Sequence, residues 1–127
     1  MNSYKELTVW QKSVELCVSG YKITEEWPKA EQFGLTFQVR KCFVSIPSNI
    51  AEGQRRGHKA EYIQFIRIAY GSGAELETQL LVALKVGYLS KKVYDELDGL
   101  LEEVMKMLNR LLSVLQNTTD YNLKPKT

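Results

Sequence analysis

The sequence predicts an all-α protein, an antiparallel up-down-up-down four-helix bundle. Its apolar residues recur at spacings of three and four, which is the period of an amphipathic helix. Proline occurs only at positions 28, 47 and 125, and the alternation that marks a β-strand is scarce. The predicted connections are about three to six residues long, and such short connections place consecutive helices side by side in opposite directions.

We expect one domain with helices over residues 4–27, 31–52, 58–86 and 91–117 and a polar tail at 118–127. In the first helix, Asn2 or Ser3 is the predicted cap, and Glu6 follows Ser3 at the spacing of a capping box. Pro28 ends the helix. Its predicted buried stripe is Leu7, Trp10, Val14, Cys17 and Tyr21.

The second helix has an unusual end, the stretch SIPSNIAEG at residues 45–53. Pro47 removes one helical hydrogen bond, so we expect a bend. Asn49 and Glu52 then either point to solvent or turn inward, where they would need partners such as Ser72, Gln79 or the start of the third helix. Gly53 is the predicted C-terminal glycine. The predicted stripe is Leu35 or Thr36, then Val39, Phe43, Ile46 and Ile50.

The third helix carries a heptad-like seam over four heptads. Its middle holds Gly71, Ser72 and Gly73, and each glycine costs roughly 1 kcal/mol relative to alanine. The glycines indicate either the close approach of a neighbouring backbone or a local kink. His58, three positions before Glu61, is a poor cap. The seam is Tyr62, Ile66, Ala69, Gly73, Leu76, Leu80, Ala83 and Gly87.

The fourth helix is predicted to start after the cap Ser90 and has the widest apolar face. A second row, Leu100, Met107 and Val114, lies beside its main seam, and the third helix adds further apolar residues from Ile63 to Tyr70. Large apolar surfaces mark contacts, so we expect a homo-oligomer; the alternative is a monomer with a generous core. The main seam is Leu97, Leu101, Val104, Leu108, Leu111 and Leu115.

Composition is that of an ordinary globular domain, with 44% hydrophobic and 25% charged residues. No stretch is apolar enough to span a bilayer, and no signal peptide is recognisable, so a cytoplasmic location is expected. Cys17 and Cys42 are expected to be reduced core thiols. The single histidine excludes the usual zinc spacings.

Charge is unevenly distributed although the net charge is only +2. Residues 95–103 contain five carboxylates and no cation. Residues 38–68 are basic, and their cations are the candidate nucleic-acid-binding residues; a solvated surface is the alternative interpretation. These candidates are Arg40, Lys41, Arg55, Arg56, Lys59 and Arg67.

No catalytic motif is present. Glu52, Glu75 and His58 are the groups that an enzyme would have to bring together. Glu75 and Glu77 are two positions apart and cannot share a helix face. There is no GxSxG, HExxH, P-loop or paired Glu-x-x-His motif. We therefore expect no catalytic activity, no cofactor and no metal site.

Three strings resemble the four helix bundle protein family, also called the 23S rRNA intervening sequence (S23) protein family. They are FGLTFQVRK at 33–41, SIPSNIAEG at 45–53 and FIRIAYGSGAELETQL at 65–80. The resemblance covers nearly the whole chain and includes Pro47, Asn49, Glu52, Gly53, Gly71, Ser72 and Glu75. The family's relatives include the accessory variability determinant (Avd) of diversity-generating retroelements.

The resemblance implies an antiparallel four-helix bundle assembled as a homopentamer around a pore. In the Avd relatives it implies association with a reverse transcriptase and with nucleic acid. Two functions follow as hypotheses. One is an oligomeric scaffold that binds RNA or DNA phosphates through its basic residues. The other is a purely structural or protein-interaction bundle that does not bind nucleic acid, for which the acidic segment 95–103 is the candidate surface.

Overall fold

The computed structural model describes residues 3–117, and its regular secondary structure is helical throughout that range. Helix α1 spans Thr8–Thr24, α2 Leu35–Arg56, α3 Lys59–Lys85 and α4 Lys91–Gln116. Each packs against two others: α1 and α3 both contact α2 and α4. The predicted all-helical fold of four helices is confirmed. The predicted tail at 118–127 and the alternative cap Asn2 lie outside the described residues.

The core lies between the four helices and is built from the stripes predicted on α2, α3 and α4. On α2, Val39, Phe43, Ile46 and Ile50 are completely buried. On α3, the predicted seam is buried from Tyr62 to Ala83. Its last member, Gly87, lies beyond the helix, where a φ of 88° forms the turn toward α4. On α4, Leu111 is only half-buried, and the other five seam residues are buried.

The stripe predicted on α1 is wrong by about one position. The buried residues of this helix are Val9, Ser13, Leu16, Gly20 and Thr24, and Tyr21 is exposed. Small residues occupy this face because α1 lies close to α2: a Cβ at Gly20 would come within 2.2–2.5 Å of the Phe43 ring. Ser13 and Thr24 satisfy their hydroxyls by donating to carbonyls of their own helix.

The first two helices begin later than predicted. Residues Tyr4–Glu6 form a 3-10 turn capped by Ser3, and extended backbone at Leu7 separates this turn from α1. A second 3-10 turn, Lys29–Glu31, precedes Gly34 and the start of α2. Position 58 precedes α3 without a side-chain capping bond, whereas Ser90 caps α4 as predicted by accepting from the Val93 N–H at 3.1 Å.

Gly53 is not the C-terminal glycine of α2. The helix continues to Arg56, and Gly57 takes the left-handed conformation with φ 72°. Gly53 instead lies where α2 meets α3, because a Cβ there would come 2.7 Å from Cβ of Phe65. Closer to the start of α2, Ser45 contacts Ser72. The later residue of α2, Gly53, thus meets the earlier residue of α3, Phe65, while the earlier Ser45 meets the later Ser72. The two helices α2 and α3 therefore run in opposite directions.

The glycines of α3 do not break the helix, which runs without interruption through Gly71 and Gly73. A Cβ at Gly73 would come 2.2 Å from Sδ of Met105 on α4, whereas nothing lies within 4 Å of one at Gly71. Gly73 therefore makes room for a side chain rather than for the neighbouring backbone that the sequence suggested. No helix among residues 3–117 is long and apolar enough to cross a membrane.

Candidate nucleic-acid interface

The six candidate cations do not gather in one cluster. Arg40 and Lys41 lie near the start of α2, and Arg55 and Arg56 lie in its last turn. Lys41 and Arg55 are fourteen positions apart, which is about 21 Å along a helix at about 1.5 Å per residue. Lys59 begins α3, and Arg67 follows two turns later. The basic residues are therefore spread along the α2–α3 pair.

Arg40 is committed to holding α1 against α2. Its Nε donates to Oγ1 of Thr24 at 2.8 Å, and one Nη donates to the carbonyl of Tyr21 at 3.2 Å. Its guanidinium also stacks 4.6 Å from the centre of the Tyr21 ring. Arg40 is half-buried. Arg40 therefore has a structural role, and the basic composition of residues 38–68 did not predict this role.

Arg56 is neutralised at the end of α2. It pairs with Glu52 at 2.9 Å and with Glu61 at 3.2 Å, and it lies 5.2 Å from the centre of the Phe65 ring. The hydrogen bond that Arg56 donates to Glu52 is the main reason that the pKa of Arg56 is raised. The Glu61 carboxylate thus faces Arg56, where the sequence suggested a capping role at the start of α3.

The other four candidates keep their positive charge available. Lys41, Arg55, Lys59 and Arg67 form no ion pair with any carboxylate of residues 3–117. Arg55 stacks 5.5 Å from the centre of the Tyr4 ring, a contact that keeps the guanidinium charged. Lys41, Arg55 and Arg67 are exposed and Lys59 is half-buried.

Asn49 and Glu52, the polar residues that follow Pro47, take different orientations: Asn49 turns inward and Glu52 points to solvent. Asn49 is half-buried and donates to the carbonyl and to Oγ of Ser45, at 2.8 and 3.0 Å. Oγ of Ser45 in turn lies 2.7 Å from Oγ of Ser72 on α3. Glu52 points outward to Arg56. Pro47 is buried within an uninterrupted α2; the expected bend stays a prediction.

The groups considered for catalysis are not joined. Glu52 pairs with Arg56, and Glu75 accepts from Nε2 of Gln79 at 3.3 Å. Residues 3–117 hold no group of three potential metal ligands. Both cysteines are free thiols. Burial, with Glu75 nearby, raises the pKa of Cys42 to about 11, so this thiol stays protonated at neutral pH.

The acidic segment of α4 is partly paired with cations. Lys91 bonds Asp95 at 2.6 Å, Lys106 lies 3.3 Å from Glu102, and Lys12 of α1 lies 3.5 Å from Glu103. These pairs are exposed, so each contributes little stability. They reduce the negative charge available to a partner in this segment.

The exposed apolar surface matches the prediction only in part, at Ile68 and Tyr70 on α3 and at Val114 in the second row of α4. Most of the surplus on α4, including Leu100, Met107 and Leu112, packs against the core. The exposed apolar side chains are mainly on α2 and α3. They include Phe33 just before α2, 86% exposed, then Phe37 and Val44 on α2, Ile68, Leu81 and Val82 on α3, and Val86 directly after α3.

An apolar groove runs along the outer side of α2 and was not predicted from the sequence. It encloses about 750 Å³ and is lined by Tyr21, Phe33, Phe37 and Val44 with Arg40 and Lys41 at its edge. The available signal was the spacing of four between Phe33 and Phe37 and of seven between Phe37 and Val44. This spacing makes a second helical stripe on the side of α2 opposite its core face.

Residues 5–110 match the family model described as 23S rRNA-intervening sequence protein. The chain belongs to this family. A solved structure of a protein with unknown function from the S23 ribosomal protein family of Bacteroides thetaiotaomicron shares the fold. The TM-score is 0.77 and the identity 23%, over 83% of this chain and 95% of that chain. No curated protein matches the sequence.

These comparisons confirm the resemblance to the S23 family that the three sequence strings indicated. The relation to the accessory variability determinant of retroelements stays a prediction.

Proposed function

We propose that this S23-family chain is a non-enzymatic scaffold of the cytoplasm that binds RNA or DNA through its phosphates. In this proposal the up-down-up-down bundle assembles as a ring-like homo-oligomer, a pentamer by resemblance. Each protomer offers Lys41, Arg55, Lys59 and Arg67 to the phosphate backbone.

The observation that carries the proposal is that none of these four cations is paired with a carboxylate of residues 3–117. A cation already paired with a carboxylate gains little from a phosphate, as with Arg56. An unpaired cation releases the counterions that phosphates hold, and that release supplies most of sequence-independent affinity. The spread of about 21 Å along α2 suits an extended backbone better than a single phosphate. A ring would repeat the set in every protomer.

Assembly is supported by apolar side chains that the bundle leaves exposed on α3. Leu81, Val82 and Val86 are 43%, 44% and 56% exposed and lie within two turns of one another. Contiguous apolar surface of this kind is characteristic of protein contacts. Covering it with a second copy would also bring the cations of neighbouring protomers into one assembly.

A reverse transcriptase or another protein is a further partner of the proposed scaffold. The second candidate function is a purely structural or protein-interaction bundle that binds no nucleic acid. The apolar groove on α2 favours this alternative, because a phosphate backbone does not require apolar surface. The two functions differ in their dependence on Arg55 and Arg67. Charge reversal at these positions removes phosphate contacts and leaves a partner on another surface bound.

The test is fluorescence anisotropy of labelled RNA, duplex DNA and an RNA–DNA hybrid with the assembled protein at 50 mM salt. Arg55→Glu with Arg67→Glu is expected to lower affinity by at least about tenfold, since two phosphate contacts become repulsive. The matched control is Lys22→Glu with Lys92→Glu, which makes the same charge change at exposed positions of α1 and α4. Equal losses in both variants, or no binding by the wild type, would contradict the proposal.

A further inference from the structure

A small cavity that is open to solvent and lined mainly by polar and charged residues lies where the end of α1, the following connection and the first turns of α2 meet. It encloses about 280 Å³, and its lining includes Thr24, Trp27, Lys29, Gln32, Thr36 and Arg40. Two cations, Lys29 and Arg40, and one carboxylate, Glu25, line it. The cavity therefore carries an excess of positive charge, and its volume suffices for a carboxylate group.

Two buried polar atoms in the lining of this cavity have no hydrogen-bond partner among the described residues. They are Nε1 of Trp27 and Oγ1 of Thr36, in side chains that are 6% and 8% exposed. A buried polar group without a partner costs free energy and calls for an explanation. An indole N–H can only donate, so the partner that Trp27 lacks is an acceptor.

Arg40 adds a third potential donor to the lining of this cavity. Its Nε and one of its terminal nitrogens are bonded to α1, which fixes the guanidinium plane. Its other terminal nitrogen, Nη1, has no hydrogen bond within residues 3–117. A fixed guanidinium, an indole N–H and a hydroxyl together match an oxyanion, because charge-assisted bonds to carboxylate oxygens are the stronger kind.

The cavity lies next to the apolar groove on α2. Gln32, Thr36 and Arg40 line both spaces. From these shared residues the groove extends past Tyr21, Phe33, Phe37 and Val44. A ligand whose anionic end lies beside Arg40 therefore has apolar surface directly next to it.

We propose that this cavity and the adjoining groove together bind a small carboxylate that carries an apolar chain. Its carboxylate accepts from Arg40, Trp27 and Thr36, and its chain covers Phe33 and Phe37. Because the polar atoms of Trp27 and Thr36 are closed to solvent in the free protein, binding shifts these side chains. The Trp27 indole is thus a built-in reporter.

The test uses the full-length chain with Trp10→Phe, which leaves Trp27 as the only tryptophan. Its emission is followed while octanoate, acetate or octanol is added. Octanoate is expected to give a saturable change and to bind at least about tenfold more tightly than acetate, the factor that burial of two methylenes alone supplies. Octanol, which lacks the charge, is expected to bind more weakly than octanoate.

Variants of the protein test separately whether the carboxylate of the ligand is recognised. Arg40→Gln is expected to weaken octanoate binding at least about tenfold and to remove its advantage over octanol. The neighbouring Lys41→Gln, which lines the groove but not the cavity, is the matched control and is expected to change binding less than about threefold. Since Arg40 also joins α1 to α2, Thr36→Val provides a second test that keeps the side-chain shape. It is expected to weaken binding about threefold or more.

Three results would overturn the proposal. Equal affinity for octanol and octanoate would show that the anion is not recognised. Equal affinity for acetate and octanoate would show that the groove plays no part. No saturable change in Trp27 emission would show that the space is closed in the assembled protein or filled by water alone.

Discussion

Glycine has three different structural roles in this molecule, and the residue type alone does not distinguish them. Gly20 and Gly73 admit a side chain from a neighbouring helix, Gly57 takes a left-handed conformation at the end of α2, and Gly71 faces open space. Of these four, only Gly57 needs the conformational freedom of glycine, as Gly87 does in the turn before α4. Gly71 carries the cost of glycine in a helix without any contact that requires it.

Gly71→Ala is therefore expected to stabilise the protein by about 0.5–1 kcal/mol, since alanine costs less in a helix and meets no neighbour. Gly20→Ala is the matched comparison and is expected to destabilise by about 1–3 kcal/mol, because the new Cβ would overlap the completely buried Phe43 ring. Urea unfolding of both variants measures the difference. A destabilising Gly71→Ala would show that this position has a contact in the assembled protein.

The sequence predicted the roles of some glycines and not of others, because tertiary contacts decide several of these roles. The glycine pair in α3 predicted the close approach of a backbone, whereas the group that approaches Gly73 is the side chain of Met105 on α4, 32 positions later in the sequence. Gly53 and Gly57 are both plausible helix ends by local chemistry. The tertiary contact with Phe65 decides between them, and no local pattern contains that contact.

At the scale of the helices, the accuracy of each predicted buried stripe depended on the size of the residues that are buried. The stripes of α2 and α3 were correct because large apolar residues such as Phe43, Ile66 and Leu80 mark most of their core faces. The stripe of α1 was wrong because Ser13, Gly20 and Thr24, three of its buried residues, are small or polar, while Trp10 and Val14 flank the buried face. Small residues that bond their own helix look like surface residues in a hydrophobic pattern.

The two connections at one end of the bundle are joined through Glu31. Its carboxylate accepts from the Leu35 N–H at 3.0 Å and from the Tyr88 hydroxyl at 2.8 Å. The hydrogen bond from Leu35, followed by that from Tyr88, lowers the pKa of Glu31. A lowered pKa in the folded state adds stability at pH values above the unfolded pKa. That stability is lost as the pH falls through the folded value.

Glu31→Gln is therefore expected to lower the melting temperature at pH 7. The deficit relative to the wild type is expected to shrink as the pH falls below 4.5, the ordinary value of this carboxyl. Glu25→Gln, an exposed carboxylate of the preceding turn, serves as the control and should show no such convergence. Thermal unfolding from pH 7 to pH 3 measures both. A deficit that is constant with pH would contradict the role of the ionised Glu31.

For the whole molecule, the exposed apolar residues of α3 are the surface on which assembly is proposed. Val82→Asp with Val86→Asp places two charges on it and is expected to lower the molar mass in solution to that of the monomer without loss of helicity. Val18→Asp, at a similarly exposed position of α1, is the control and should leave the mass unchanged. Light scattering distinguishes the outcomes. A wild-type protein that is itself monomeric would contradict the proposed assembly.

The central claim is that unpaired cations on α2 and α3 bind phosphates, and the salt dependence of RNA affinity tests it most directly. If the four cations of one protomer each neutralise a phosphate of an RNA–DNA hybrid or duplex, affinity is expected to fall by about 100-fold between 50 and 200 mM salt. Cations from further protomers would make the fall steeper. Binding that is insensitive to salt, or absent at 50 mM, would contradict the claim and leave the protein-interaction scaffold as the function.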